Sequence, residues 1–98
     1  MAYPIRYSSR AYTEYISIIE YISGKFGIVM AQKIDNHFEE VINQISINPL
    51  LFPYSNKKKN IRRCVISPQT TLYYRFGGDL VELVSFRGNL MNPKNLGF

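Results

Sequence analysis

Residues 60–86, NIRRCVISPQTTLYYRFGGDLVELVSF, hold three β-branched and aromatic runs separated by two turn signals. Asn60 to Ser67, Thr70 to Phe76 and Leu80 to Phe86 each have the length and composition of a strand. Pro68-Gln69 breaks the first pair, with proline presetting φ for a turn. Gly77-Gly78-Asp79 breaks the second, and this composition tolerates the positive φ that tight hairpins require. Links this short join only antiparallel neighbours. The stretch therefore predicts a three-stranded antiparallel meander.

Upstream lies NPLLFPYSNKKKN, a loop with two prolines. Asn48-Pro49 at its start ends a helix, because the residue before proline is pushed out of the helical region. In that helix Ala31, Ile34, Phe38, Val41 and Ile45 recur at three- and four-residue steps. Gln32, Lys33, Asp35, Asn36, Glu39, Glu40 and Asn43 fill its other side. An earlier stripe, Tyr12, Tyr15, Ile16, Ile19, Ile22 and Phe26, predicts a first helix, with Ser8 or Ser9 as its cap. Ser23-Gly24 and Gly27 place a tight connection within Gly24 to Gly27. Tyr3 to Tyr7 is short, aromatic and partly β-branched, and reads as a first strand. The predicted order is β-α-α-β-β-β, an α+β fold. Its antiparallel sheet carries a two-helix hairpin on one face and leaves the other face open.

The whole chain sets further bounds. Its 98 residues, 46% hydrophobic with eight Tyr and six Phe, predict a single compact domain over residues 1–98. The net charge of +5 favours an acidic partner, nucleic acid or a negatively charged protein. Cys64 is the sole cysteine, which excludes an internal disulfide and a cysteine-based zinc cluster. The start MAYPIRYSSRAYTEY lacks the pattern of a secretory signal, and no apolar run approaches the ~20 residues of a membrane span. These features predict a cytoplasmic protein with no membrane association.

Basic residues concentrate in SNKKKNIRRCV, which holds five of the twelve. Lys57, Lys58 and Lys59 form a loop charge run that either is solvated or attracts an acidic segment or a phosphate backbone. Arg62 and Arg63 follow on a strand, where alternation sends them to opposite faces. Arginine suits phosphate because its fork donates two hydrogen bonds at once. Arg75 and Arg87 lie on the next two strands. With one of Arg62 and Arg63, they are expected to converge in a positive patch. Tyr73 and Tyr74 point to opposite faces; core packing is the stronger reading for either taken singly, and the one that does not pack there could stack on a base or a partner side chain. His37 is the only histidine and has no second ligand at metal-binding spacing, so neither a metal nor a cofactor is expected. Cys64 has no adjacent histidine and reads as a small buried residue. Glu39, Glu40 and Glu82 form no evident acid–base pair, and Gly77-Gly78 is a turn rather than a phosphate loop.

The order of elements, the Asn-Pro end of the second helix, NIRRCVI, TTLYYRF and LVELVSF followed by RGNLMNPKNL together resemble the RelE/ParE toxin superfamily over almost the whole chain. These are the toxin halves of type II toxin–antitoxin pairs, also described as plasmid stabilisation proteins. The resemblance implies an antitoxin whose C-terminal segment wraps the toxin, and hence a hetero-oligomer. It implies one of two targets. RelE-like members are ribosome-dependent, metal-independent messenger RNA endonucleases, and ParE-like members poison DNA gyrase. RelE-like nucleases carry Lys or Arg on the second strand, an Arg opening the third, an Arg after the last, and often an aromatic hydroxyl near the C-terminus. Here Thr70 and Thr71 stand where the third-strand Arg would begin, Leu90 stands where a further Arg would follow Arg87, and NPKNLGF contains neither Tyr nor His. The resemblance thus favours the ParE-like branch. The alternatives are a nuclease using Arg62 or Arg63 with Arg75 and Arg87, and a degenerate toxin that only binds its antitoxin.

Overall fold

The computed structural model describes residues 2–56, 58 and 60–88. The elements are β1 (Ile5–Tyr7), α1 (Ser9–Phe26), α2 (Ile28–Ile47), β2 (Arg62–Ser67), β3 (Thr70–Gly77) and β4 (Leu80–Gly88). They make the expected α+β fold, with one sheet in the order β1-β4-β3-β2. β2, β3 and β4 are antiparallel neighbours, as their short links require. β1 instead joins β4 in parallel, with Ile5 opposite Val81 and Tyr7 opposite Leu83. The antiparallel rule follows from short connections, and no short connection joins β1 to β4.

Ser8 caps α1. Its Oγ accepts the Ala11 amide at 2.9 Å and donates to Val84 O at 2.9 Å, which pins the helix start to β4. The helical link is a single residue. α1 runs through Gly24 to Phe26, and Gly27, at φ 93°, both ends α1 and starts α2. That left-handed backbone is accessible to glycine without a Cβ penalty. α2 ends at Asn48, whose amide still bonds Gln44 O, just before Pro49.

The core forms where the hairpin meets the sheet. Phe38 of α2 stacks on Phe86 of β4 at 6.0 Å, and Tyr15 of α1 meets both rings edge-on at 5.6 and 5.2 Å. Ile42, Ile45, Cys64, Ile66, Leu72, Tyr74, Val81 and Leu83 close around them. Each such side chain contributes about 1.5–3 kcal/mol by leaving water. The Tyr15 hydroxyl donates to the Asp35 carboxylate, which ties α1 to α2. The α1 stripe departs from expectation. Ala11 and Tyr15 are buried and Ile18, Ile19 and Ile22 partly so, but Tyr12, Ile16 and Phe26 face solvent.

Register shifts interrupt the sheet in β2, between Val65 and Ser67, and in β4. A register shift in β4 sets Leu83 opposite Tyr74 and Ser85 opposite Tyr73, so Val84 is the extra residue of a bulge. Past the short β1, the outer edge of β4 is met by α1. Ser8 N donates to Leu83 O at 3.0 Å, and Glu14 Oε1 accepts Phe86 N at 3.1 Å and Ser85 Oγ at 2.7 Å. The sheet face away from the helices is open only in part. Arg63, Val65 and Arg75 are exposed there, whereas Thr71, Tyr73 and Ser85 are buried.

Candidate anion-binding trough

Strand register brings Arg6 of β1, Glu82 of β4 and Arg75 of β3 side by side on one rung of the sheet. Arg6 Nη2 donates to Glu82 Oε2 at 2.9 Å, and Arg75 Nε donates to Oε1 at 2.6 Å. The two arginines are 60% and 57% exposed, while Glu82 between them is 15% exposed. Burial alone would raise the Glu82 carboxyl, but the hydrogen bonds from Arg6 and Arg75 outweigh it and hold the group below its ordinary value.

This rung floors two adjoining clefts. The first, about 370 Å³, is lined by Arg6, Arg75 and Glu82 together with Tyr54, Asn60 and Arg62. The second, about 460 Å³, adds Arg10, Lys58 and Ser8 on the other side of Arg75 and Glu82. Arg62 is held at the rim: Nη1 donates to Phe52 O at 2.7 Å, and its guanidinium lies 4.0 Å from the Tyr54 ring centroid. Five cationic side chains thus surround one carboxylate. Such a surface binds anions through guanidinium forks. Its one carboxylate is held ionised, so it offers no proton acceptor suited to neutral pH.

The expected patch of Arg75, Arg87 and one of Arg62 and Arg63 is divided. Arg62 and Arg75 line the trough. Arg63 is exposed opposite Tyr73, outside both clefts, with its amide on Pro53 O. The β4 bulge does put Arg87 on the face of Arg75, but Arg87 lies opposite Thr71, four register positions away, or roughly 13 Å at strand rise. There it is largely buried, 3.9 Å from Glu14 Oε2. The expected convergence of Arg75 with Arg87 is corrected on that distance. Lys58 lines the second cleft, and Lys57 and Lys59 lie outside the described residues, as do Leu90 and the NPKNLGF tail.

Neither candidate tyrosine presents a ring. Tyr74 is fully buried, with its hydroxyl donating to Pro49 O at 2.8 Å. Tyr73, on the opposite face, is only 4% exposed, so alternation did not free it. His37 Nε2 sits 2.6 Å from Ile66 O and bridges α2 to β2, far in role from the trough. Among the described residues no group of three or more His, Cys, Asp or Glu could hold a metal ion, and no helix is long and apolar enough to cross a membrane. Sequence reasoning missed Arg6 and the importance of Glu82. Their pairing depends on the parallel β1–β4 contact, which no local pattern announces.

The fold is shared with solved toxin structures. A chain of the chromosomal ParDE toxin–antitoxin system from P. aeruginosa superposes with a TM-score of 0.76 at 10% identity, over 89% of this chain and 96% of that one. The YoeB dimer structure from Staphylococcus aureus gives 0.60 at 17% identity, over 89% and 97%. The E. coli DinJ–YafQ toxin–antitoxin complex gives 0.59 at 16% identity, over 94% and 100%. A search of curated proteins finds no match. Residues 5–93 match the family profile of the ParE toxin of the type II toxin–antitoxin system, parDE. With the profile spanning nearly all of the sheet and hairpin, the chain belongs to the ParE toxin family of type II toxin–antitoxin systems.

Proposed function

We propose that this toxin inhibits growth by poisoning DNA gyrase in the cytoplasm and is silenced by a cognate antitoxin in a hetero-oligomer. The observation that carries the gyrase reading is the separation of Arg75 from Arg87. A ribonuclease on this fold needs cations gathered at one phosphate and a group able to take a proton. Here Arg75 is paired to Glu82 at one end of the β3–β4 ladder and Arg87 lies beside Glu14 at the other. His37 is engaged with Ile66 O on a different part of the molecule. The antitoxin reading is supported by apolar residues left in solvent along the hairpin, among them Tyr12, Ile16, Tyr21, Phe26, Ile28 and Val29. Apolar side chains left in solvent in this number on a small protein suit a partner surface.

The test sets the purified chain against two targets. Inhibition of gyrase supercoiling, with messenger RNA left intact on purified ribosomes, is the expected result. Ribosome-dependent cleavage with gyrase unaffected would overturn the reading in favour of a nuclease. Inertness towards both, with tight antitoxin binding, would mark a chain that serves only as a binding module.

A further inference from the structure

We infer that the trough over Arg6, Glu82 and Arg75 is a binding site for the phosphodiester backbone of a nucleic acid, with Glu82 as its displaceable internal occupant. This goes beyond the gyrase reading and is measured without gyrase, so either can fail alone. Three observations carry it. Arg6 and Arg75 both bond one shared carboxylate, yet both guanidinium groups remain more than half exposed. Each fork keeps N–H groups that can donate to a phosphate oxygen while the Glu82 contact loosens. The two clefts meet at Arg75 and Glu82, so the cations continue as a track from Arg62 past Arg75 to Lys58 and Arg10. A polyanion engages a track of this kind more fully than a single carboxylate does. Lastly, the rim carries the exposed ring of Tyr54 beside Arg62, with Phe76 and Leu80 at the cleft wall. Cations interleaved with an aromatic face suit a strand whose bases are free to stack. An acidic amphipathic peptide would instead need a broad apolar floor, and this floor is the polar Arg6–Glu82–Arg75 rung.

Glu82 has a defined part. While the site is empty it holds both forks in place and offsets their mutual repulsion. When a phosphate arrives it is the competing anion. Removing its charge should therefore tighten binding rather than weaken it.

The experiment is fluorescence anisotropy of the full chain with a labelled oligonucleotide, single-stranded and as a duplex, over a series of salt concentrations. The expected result is binding that weakens steeply with salt and is tighter for the single strand. Arg6→Gln with Arg75→Gln should lower affinity roughly tenfold or more and reduce the salt slope by about two. Glu82→Gln should raise affinity several-fold. Arg63→Gln, outside the clefts but the same charge change as Arg75→Gln alone, should have a small effect where the single Arg75→Gln weakens binding, and circular dichroism checks folding of each variant. Absence of binding to either oligonucleotide at low salt would overturn the site. So would an Arg63→Gln loss matching that of Arg75→Gln, which would mean that net charge alone attracts the strand. Weaker binding by a folded Glu82→Gln variant would overturn the role given to Glu82. Binding of poly-glutamate through Arg6 and Arg75, with nucleic acid not bound, would assign the trough to an acidic peptide instead.

Discussion

Cys64 is 1% exposed, and burial pushes its thiol up to about 11. It should resist iodoacetamide in the native protein at pH 8 and react fully in denaturant, which mass spectrometry reads directly; rapid native labelling would show that β2 opens. Tyr74 is the more costly buried residue. Tyr74→Phe removes the donor to Pro49 O and should cost about 1–2 kcal/mol in denaturant unfolding. Glu82 gives a pH signature. Its folded-state carboxyl is held low, so the stability it contributes is present above the unfolded pKa and is lost as pH falls through the lower folded value. The stability difference between wild type and Glu82→Gln should therefore be constant near neutrality and vanish in acid. A difference unchanged down to the acid transition would mean that the two arginines do not stabilise the ionised form. These roles were unequally legible. Cys64 without a histidine neighbour could be read as core from the sequence alone. Glu82 could not, because its partners stand on two other strands and only the fold supplies them.

The hairpin carries a pair of glycines whose substitutions should act in opposite directions. Gly24 lies inside α1, with open space where a Cβ would sit, so Gly24→Ala should stabilise by about 0.5–1 kcal/mol through helix propensity. Gly27 also has open space, but its φ of 93° is one that other residues adopt at a cost, so Gly27→Ala should destabilise by about 1–2 kcal/mol. Thermal melts of the two variants compare backbone conformation directly, since neither methyl group meets a neighbour. Equal shifts would show that the hinge is not strained by a side chain. Both glycines were visible as interruptions, but sequence could not tell a helix interior from a hinge. The strands of the meander were legible to within two residues because turn chemistry is local. The buried face of α1 was not, since hydrophobicity at Tyr12, Ile16 and Phe26 says nothing about what covers them. The β4 bulge at Val84 was equally hidden, and it alone decides that Arg87 shares a face with Arg75.

At the scale of the molecule, the exposed apolar residues of the hairpin give the antitoxin reading its own check. A hydrophobic dye should fluoresce with the isolated toxin and be displaced on complex formation; dye binding that persists in the complex would place the antitoxin elsewhere. The sheet order has another consequence. β4 lies between β1 and β3, and Arg6 reaches Glu82 across a separation of 76 residues. Contacts that distant form only after a large loop has closed. A chain ending before Leu80 would leave β1 without β4, its strand partner, and Ser8 without Leu83 and Val84, so it should fail to fold. During translation the same holds for every nascent chain: no Arg6–Glu82–Arg75 rung exists until the last strand has cleared the ribosome. Any activity that depends on this rung is therefore withheld until β4 has emerged, so the order of synthesis itself delays it.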